Sequence, residues 1–250
     1  MASPTLPWVI ISALKAIIGE DYSILSFTQL PSRRNEVYKI TLSPSPQSVP
    51  ISFVAKLFHE TGIANETSIL QEAYQQEVPV PKIIGSTSNV LLLEYIPGPN
   101  LCDLITLKPD PLFGYLIATW YNTYHNAFRR GEGKVLTKGD ARIRNFLVLY
   151  NNLVGVDFEE SQLGSYQDDL AETCASILDT KPLFTKSKLQ LCSQIIEHYA
   201  TIQHLPNRTQ FKHEVTERML ETLRQTSSRR GKPNDLQASI EQLEKTQFTL

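Results

Sequence analysis

Between residues 138 and 159 the chain sets Asp140, Asn145 and Asp157 around two short β-prone runs, Phe146 to Tyr150 and Leu153 to Val156. Asn151-Asn152 tolerates the positive φ of a two-residue turn, so the pattern predicts a hairpin. Asp140 and Asn145 fall in the loop entering its first strand and Asp157 leaves its second, which lets the three polar residues converge at one end. Mg²⁺ prefers hard oxygen ligands and keeps several waters, so one carboxylate and one amide suffice when phosphate oxygens complete the shell. The remaining carboxylate is then free to take a proton from a nucleophile.

The spacing D-x-x-x-x-N followed by D-F-x is that of a kinase catalytic loop and its metal-binding aspartate, with Glu159 where glycine is usual. With Gly139 before Asp140, the stretch resembles the aminoglycoside phosphotransferase and choline kinase-like family within the protein kinase-like superfamily. The resemblance implies an ATP- and Mg²⁺-dependent phosphotransferase in which Asp140 is catalytic and Asn145 and Asp157 hold the metal. Lys138 stands where that family carries a histidine that braces the metal-binding segment. The likeness runs from about residue 22 to 180.

Several elements must position this loop. Val9, Ile10, Ala13, Leu14 and Ile17 recur at helical spacing with Gly19 behind them, predicting an opening amphipathic helix that packs on a sheet. Ser23 to Thr28, Asn35 to Leu42 and Ile51 to Phe58 read as strands, with the Ser-Pro run at 43 to 46 as an exposed connection. The third strand carries Lys56 inside an apolar run, where an ammonium needs a partner. The resemblance makes Lys56 the residue that touches the α- and β-phosphates. Its partner is Glu66, with Glu72 as the alternative, because Glu66 to Leu70 and Val78-Pro79-Val80-Pro81 follow the family's pattern. The first connection has no G-x-G-x-x-G; Asn35 and Tyr38 match the second half of the resembling family's Gly-Gly-x-Ser-Asn-x-x-Tyr-like loop, and Ser32, Arg33 and Arg34 offer a hydroxyl, N–H groups and guanidinium donors to phosphate instead. Lys82 to Gly85 and Val90 to Tyr95 read as further strands. Leu91 to Gly98 resembles the hinge, where backbone groups of Glu94 to Ile96 would read an adenine edge.

From Asp110 onward the pattern is helical, with helices near 110–128, 166–178, 185–203, 208–226 and 235–246. His125 reads as a hydrogen-bonded core histidine, because no second histidine or cysteine has metal-site spacing with it. By resemblance, Asp169 braces the catalytic loop through backbone N–H groups. The expected architecture is α+β and kinase-like in two lobes, a small antiparallel β lobe at 1–97 and a mostly helical lobe at 98–250.

Composition is consistent with this. The chain has 250 residues, 41% hydrophobic and 20% charged, which suffices for one large or two small domains with a core. A net charge of −2 implies no general attraction to nucleic acid or anionic membrane. Cys102, Cys174 and Cys192 lack metal-type spacing and are odd in number, as in a reduced intracellular protein, and read as buried apolar fillers. Trp8 to Ile18 is interrupted by Ser12 and Lys15 and lacks a basic leader, so a cytoplasmic protein is expected and the sequons at Asn65 and Asn207 are incidental. Only twelve steps separate Asp157 from Asp169 (169 − 157) and no Ala-Pro-Glu occurs, which leaves no room for a long activation segment. That favours a small-molecule acceptor; an atypical protein kinase or a nucleotide-binding pseudokinase scaffold is the alternative. A cationic acceptor would be drawn to Glu159 and Glu160, an anionic one to Arg142 and Arg144.

Overall fold

The computed structural model describes residues 5–45, 48–131, 133–231, 233–245 and 250. The chain divides into two compact units, residues 1–75 with 80–97, and residues 76–79 with 98–250.

In the first unit, helix α1 (Trp8–Ile18) is followed by strands β1 (Ser23–Leu30), β2 (Glu36–Ser43) and β3 (Ile51–Leu57), helix α2 (Ile63–Gln75), and strands β4 (Ile83–Ser86) and β5 (Val90–Glu94). The strands form one antiparallel sheet in the order β1-β2-β3-β5-β4. Ile10, Ala13 and Leu14 of α1 pack into a core with Ile40, Leu42, Ala55, Val90 and Leu92. At Gly85 of β4 the helix lies against the strand, and an added Cβ would lie 2.4 Å from Ile17 Cγ2. The helix ends where Gly19 takes φ +90° and its N–H returns to the Lys15 carbonyl, a conformation glycine adopts without strain. Of the exposed connection expected at 43 to 46, Pro46 lies outside the described residues.

In the second unit, α3 (Leu101–Leu107) and α4 (Pro111–Ala127) lead to β6 (Val135–Thr137), a 3₁₀ turn (Ile143–Asn145), β7 (Phe146–Leu149), β8 (Asn152–Gly155) and β9 (Gln162–Gly164). Helices α5 (Tyr166–Leu178), α6 (Lys186–Ile202), α7 (Arg208–Arg229) and α8 (Asn234–Lys245) complete it. Asp110 caps α4 by accepting from Leu112 N–H at 2.9 Å, with Pro111 at the first helical position, where its missing N–H is harmless. Residues 76–79 belong here because the Pro79 carbonyl accepts from Gly155 N–H at 3.1 Å and Trp120 Nε1 at 3.0 Å.

The hairpin forms with its turn one residue earlier than Asn151-Asn152. Leu149 pairs with Asn152, which leaves Tyr150-Asn151 as the turn, with Tyr150 at φ +55°. This register buries Leu153 and Val154 and sets Gly155 under the Trp120 indole, where an added Cβ would lie 2.4 Å from the ring. Tertiary packing thus overrides the turn preference of the asparagine pair. The short elements α3, β6, β9 and the 3₁₀ turn went unpredicted, each too short to carry a readable period. Cys174 and Cys192 are buried fillers; Cys102 is only half-buried, in the first turn of α3.

Candidate active site

In the first unit, β3 and α2 bring together a lysine and a glutamate that are both almost without solvent access, Lys56 at 5% and Glu66 at 1%. Lys56 Nζ donates to Glu66 Oε2 at 2.7 Å. Glu66 rather than Glu72 is therefore the partner. The ammonium also lies 4.9 Å from the Phe58 ring centroid. Ser32, Arg33 and Arg34 are exposed in the 31–35 connection between β1 and β2, with Asn35 half-buried behind them. At the end of β5, Glu94 N–H is engaged by the Lys82 carbonyl at 2.9 Å, so that donor is unavailable to a ligand. The Ile96 N–H donates to no described residue. The Lys39 ammonium lies 3.9 Å over the Tyr95 ring, pinning the segment between Glu94 and Ile96 to β2.

In the second unit, the hairpin is anchored by two fully buried phenylalanines, Phe146 and Phe158. Trp120 meets Phe146 edge-on at 5.0 Å and stacks on Tyr124 at 5.0 Å, while Tyr124 lies 5.8 Å from Phe158. Each candidate metal ligand immediately precedes one of these anchors, Asn145 before Phe146 and Asp157 before Phe158. Val156 N–H donates to the Asn145 carbonyl at 3.0 Å, so both residues sit at the open end of the hairpin. Asp157 takes φ +65°, a region that favours glycine and that non-glycine residues enter when the surroundings hold them there. Asn145 Nδ2 donates to the Asp140 carbonyl at 3.0 Å. Since the amide nitrogen must face that carbonyl, Oδ1 faces away, as an oxygen ligand should. The donor set of one carboxylate and one amide oxygen fits Mg²⁺.

Asp140 is gripped on both sides. Arg144 donates to Oδ2 at 2.7 Å, and Arg142 Nε lies 3.3 Å from Oδ1. Oδ1 is buried yet takes part in no hydrogen bond. A carboxylate oxygen held in place with an unused lone pair can accept from an incoming hydroxyl.

Lys138 has no solvent exposure. Its Nζ donates to the carbonyls of Asp140 and Asp157, each at 3.0 Å, and lies 4.9 Å from the Phe158 ring and 5.4 Å from Phe146. Burial pushes its pKa down, against the pull of Asp157, Asp140, Asp169 and Glu172. Gly139 takes φ +87°, and a Cβ there would meet the Glu160 carbonyl oxygen at 2.3 Å.

One face of α5 holds the loop. Asp169 accepts from Lys138 N–H at 2.8 Å and Gly139 N–H at 3.4 Å. Glu172 accepts from Ala141 N–H at 3.1 Å, Thr173 donates to the Ala141 carbonyl at 2.6 Å, and Ser176 Oγ accepts from Ile143 N–H at 3.0 Å. The positions 169, 172, 173 and 176 fall at i, i+3, i+4 and i+7, a single helical stripe. Asp169 is found in its expected bracing position, whereas Glu172, Thr173 and Ser176 went unrecognised. The readable signal was a polar stripe at helical spacing on a face that ought to be apolar. Behind it His125 bonds Tyr199 Oη at 2.9 Å and Asp169 Oδ2 at 3.0 Å, as a core histidine should.

No protein-family model matches the chain, and no curated protein matches it. Solved structures do. An ethanolamine kinase from Plasmodium vivax superposes with a TM-score of 0.61 at 14% identity, over 81% of this chain and 74% of that one. The amicoumacin kinase hAmiN, in complex with AMP-PNP, Ca²⁺ and Ami, gives 0.58 at 13% over 88% and 86%. The ternary complex of APH(2″)-IIa with streptomycin and ATP gives 0.60 at 14% over 88% and 89%. At such identities the likeness is one of fold, and it agrees with the resemblance read from the catalytic stretch: the chain has the α+β, protein kinase-like fold of the ethanolamine and amicoumacin kinases.

Proposed function

We propose that the protein transfers the γ-phosphoryl group of ATP to a hydroxyl of a small molecule. The observation that carries this reading is Asp140, whose Oδ1 is buried, fixed and without a hydrogen bond at the end of a hairpin that also presents Asn145 and Asp157. The solved structures of like fold support it, since two contain a nucleotide, in one case beside a divalent cation, and all three are small-molecule kinases or hold a small molecule by their names.

In this reading the Lys56 ammonium, held by Glu66, takes the α- and β-phosphates, with Ser32, Arg33 and Asn35 as further donors. The Ile96 N–H and the Glu94 carbonyl take the adenine edge. Asn145 and Asp157 would hold Mg²⁺, which supplies charge neutralisation on the phosphate oxygens. Asp140 orients the acceptor hydroxyl and receives its proton as the new O–P bond forms; the bond from the γ-phosphorus to the bridging oxygen breaks, and ADP leaves. Lys138 and the α5 stripe keep Asp140 and Asp157 in register.

Thermal denaturation with ATP and Mg²⁺ tests the reading. A ligand at 100 times its Kd stabilises by about 2.7 kcal/mol. A Mg²⁺-dependent upward shift that disappears in Asp157→Ala is expected. No response of the wild-type protein to any nucleotide would leave a scaffold.

A further inference from the structure

Arg142 belongs to two environments. Its Nε faces Asp140 Oδ1 at 3.3 Å and Glu172 Oε1 at 3.4 Å, and the residue also lines a cleft of about 230 Å³ between α5 and α7. Across that cleft, α7 presents Arg218, Thr222, Thr226 and Arg229. These positions fall at i, i+4, i+8 and i+11, one face of the helix.

Three guanidinium groups thus meet at one small cleft beside the candidate base. Two carboxylates share it, and both are already engaged. Glu172 accepts from Ala141 N–H and faces Arg142, while Asp168 pairs with Arg218 and accepts from Ser165 N–H at 2.8 Å. Arg229 forms no ion pair with a described residue; its contact is Gln225 Oε1 at 3.4 Å. Each guanidinium carries five N–H donors in a planar fork suited to a bidentate oxyanion, so donors far outnumber the acceptors that the walls supply. The Thr226 hydroxyl adds a donor, whereas that of Thr222 is spent on the Arg218 carbonyl at 2.9 Å. A cationic group in this cleft would face like charges at short range, which disfavours it.

We infer that this cleft binds an oxyanion, and that the acceptor is accordingly a hydroxyl compound bearing a phosphate or carboxylate group. The inference rests on the phosphotransferase reading for its catalytic half only. The anionic group lies against Arg142, Arg218 and Arg229, and Arg142 spans from it to Asp140, so hydroxyl and anion sit on one compact molecule.

Calorimetric titration with inorganic phosphate tests the cleft without turnover. Phosphate binds the wild-type protein, and binding weakens at least tenfold in Arg229→Glu. The double variant Lys56→Met/Glu66→Gln, which removes the buried cation without stranding its glutamate, keeps wild-type phosphate affinity. Loss of binding in that variant with retention in Arg229→Glu assigns the phosphate to the nucleotide side and overturns the proposal, as does no binding at all. The second arm measures ATP consumption with glycerol 3-phosphate and glycerate against ethanolamine and streptomycin. Faster turnover of an anionic alcohol, with its KM raised in Arg229→Glu and that of ATP unchanged, supports it; preference for a cationic acceptor overturns it while leaving the phosphotransferase reading intact. Absence of the Mg²⁺- and Asp157-dependent nucleotide shift sinks the phosphotransferase reading instead, and phosphate binding lost in Arg229→Glu would still establish the oxyanion site.

Discussion

The ammonium of Lys138 donates to the backbone carbonyl of Asp157 at 3.0 Å, and the same atom reaches the carbonyl of Asp140 at 3.0 Å. A fully buried lysine therefore ties the loop that carries the candidate base to the segment that carries the candidate metal ligand. A neutral imidazole has one N–H donor; an ammonium has three. With three donors, Lys138 makes both bracing contacts from one atom.

Lys138→Met should separate positioning from stability. It strands two carbonyls, each losing a charged hydrogen bond of about 1.5–3 kcal/mol, but it also removes the desolvation penalty of a buried ammonium, so the melting temperature should change little. Turnover should fall by roughly tenfold to a hundredfold as the two segments lose register, and Lys138→His should recover part of it. Equal kcat in all three proteins would remove Lys138 from the mechanism.

Gly139→Ala should harm both properties. Residue 139 has φ +87°, and the Cβ would lie 2.3 Å from the Glu160 carbonyl oxygen, a backbone atom that cannot swing aside. Left-handed strain alone amounts to about 1–2 kcal/mol, and the clash adds to it. Chemical denaturation should show a loss of about 2 kcal/mol or more. A variant as stable as wild type would contradict the geometry of this turn.

The buried pair on β3 and α2 predicts an asymmetric mutant cycle. Lys56→Met leaves Glu66 charged and buried at 1% exposure, a loss of about 3–5 kcal/mol when one partner of a buried pair is removed. Adding Glu66→Gln should restore most of the stability and none of the nucleotide affinity. Recovery of affinity along with stability would show that Lys56 serves only the fold.

Much of this was legible in the sequence, for identifiable reasons. The hairpin is announced by the two β-prone runs at 146–150 and 153–156, and Lys56 stands out because an ammonium inside an apolar run demands a partner. What stayed hidden depended on contacts distant in sequence. The turn slips from Asn151-Asn152 to Tyr150-Asn151 because Gly155 must pass beneath Trp120 on α4. Glu172, Thr173 and Ser176 look like ordinary polar helix residues until the loop at 138–143 lies against them. Arg142, Arg218 and Arg229 meet only when α7 packs on α5.

Glu172 supplies a pH signature. Burial raises its pKa above 4.5 despite the Ala141 N–H and Arg142, so the folded state binds the proton more tightly than the unfolded one. Stability contributed by this group is then lost as pH rises from about 4.5 through the raised value. Glu172→Gln keeps an acceptor for Ala141 N–H and carries no charge to bury. Its stability relative to wild type should increase across that window and level off above it; a difference that stays flat from pH 4 to 8 would refute the assignment.

The most direct test of the account is phosphoryl transfer from γ-labelled ATP to an acceptor that the wild-type protein turns over, compared with Asp140→Asn. Asparagine keeps the shape of the side chain but cannot take the hydroxyl proton, and a positioned general base contributes roughly 10²–10⁴-fold. The account predicts a fall in kcat of that order with Mg²⁺-dependent ATP binding retained. Labelled product formed at the wild-type rate by Asp140→Asn would contradict it.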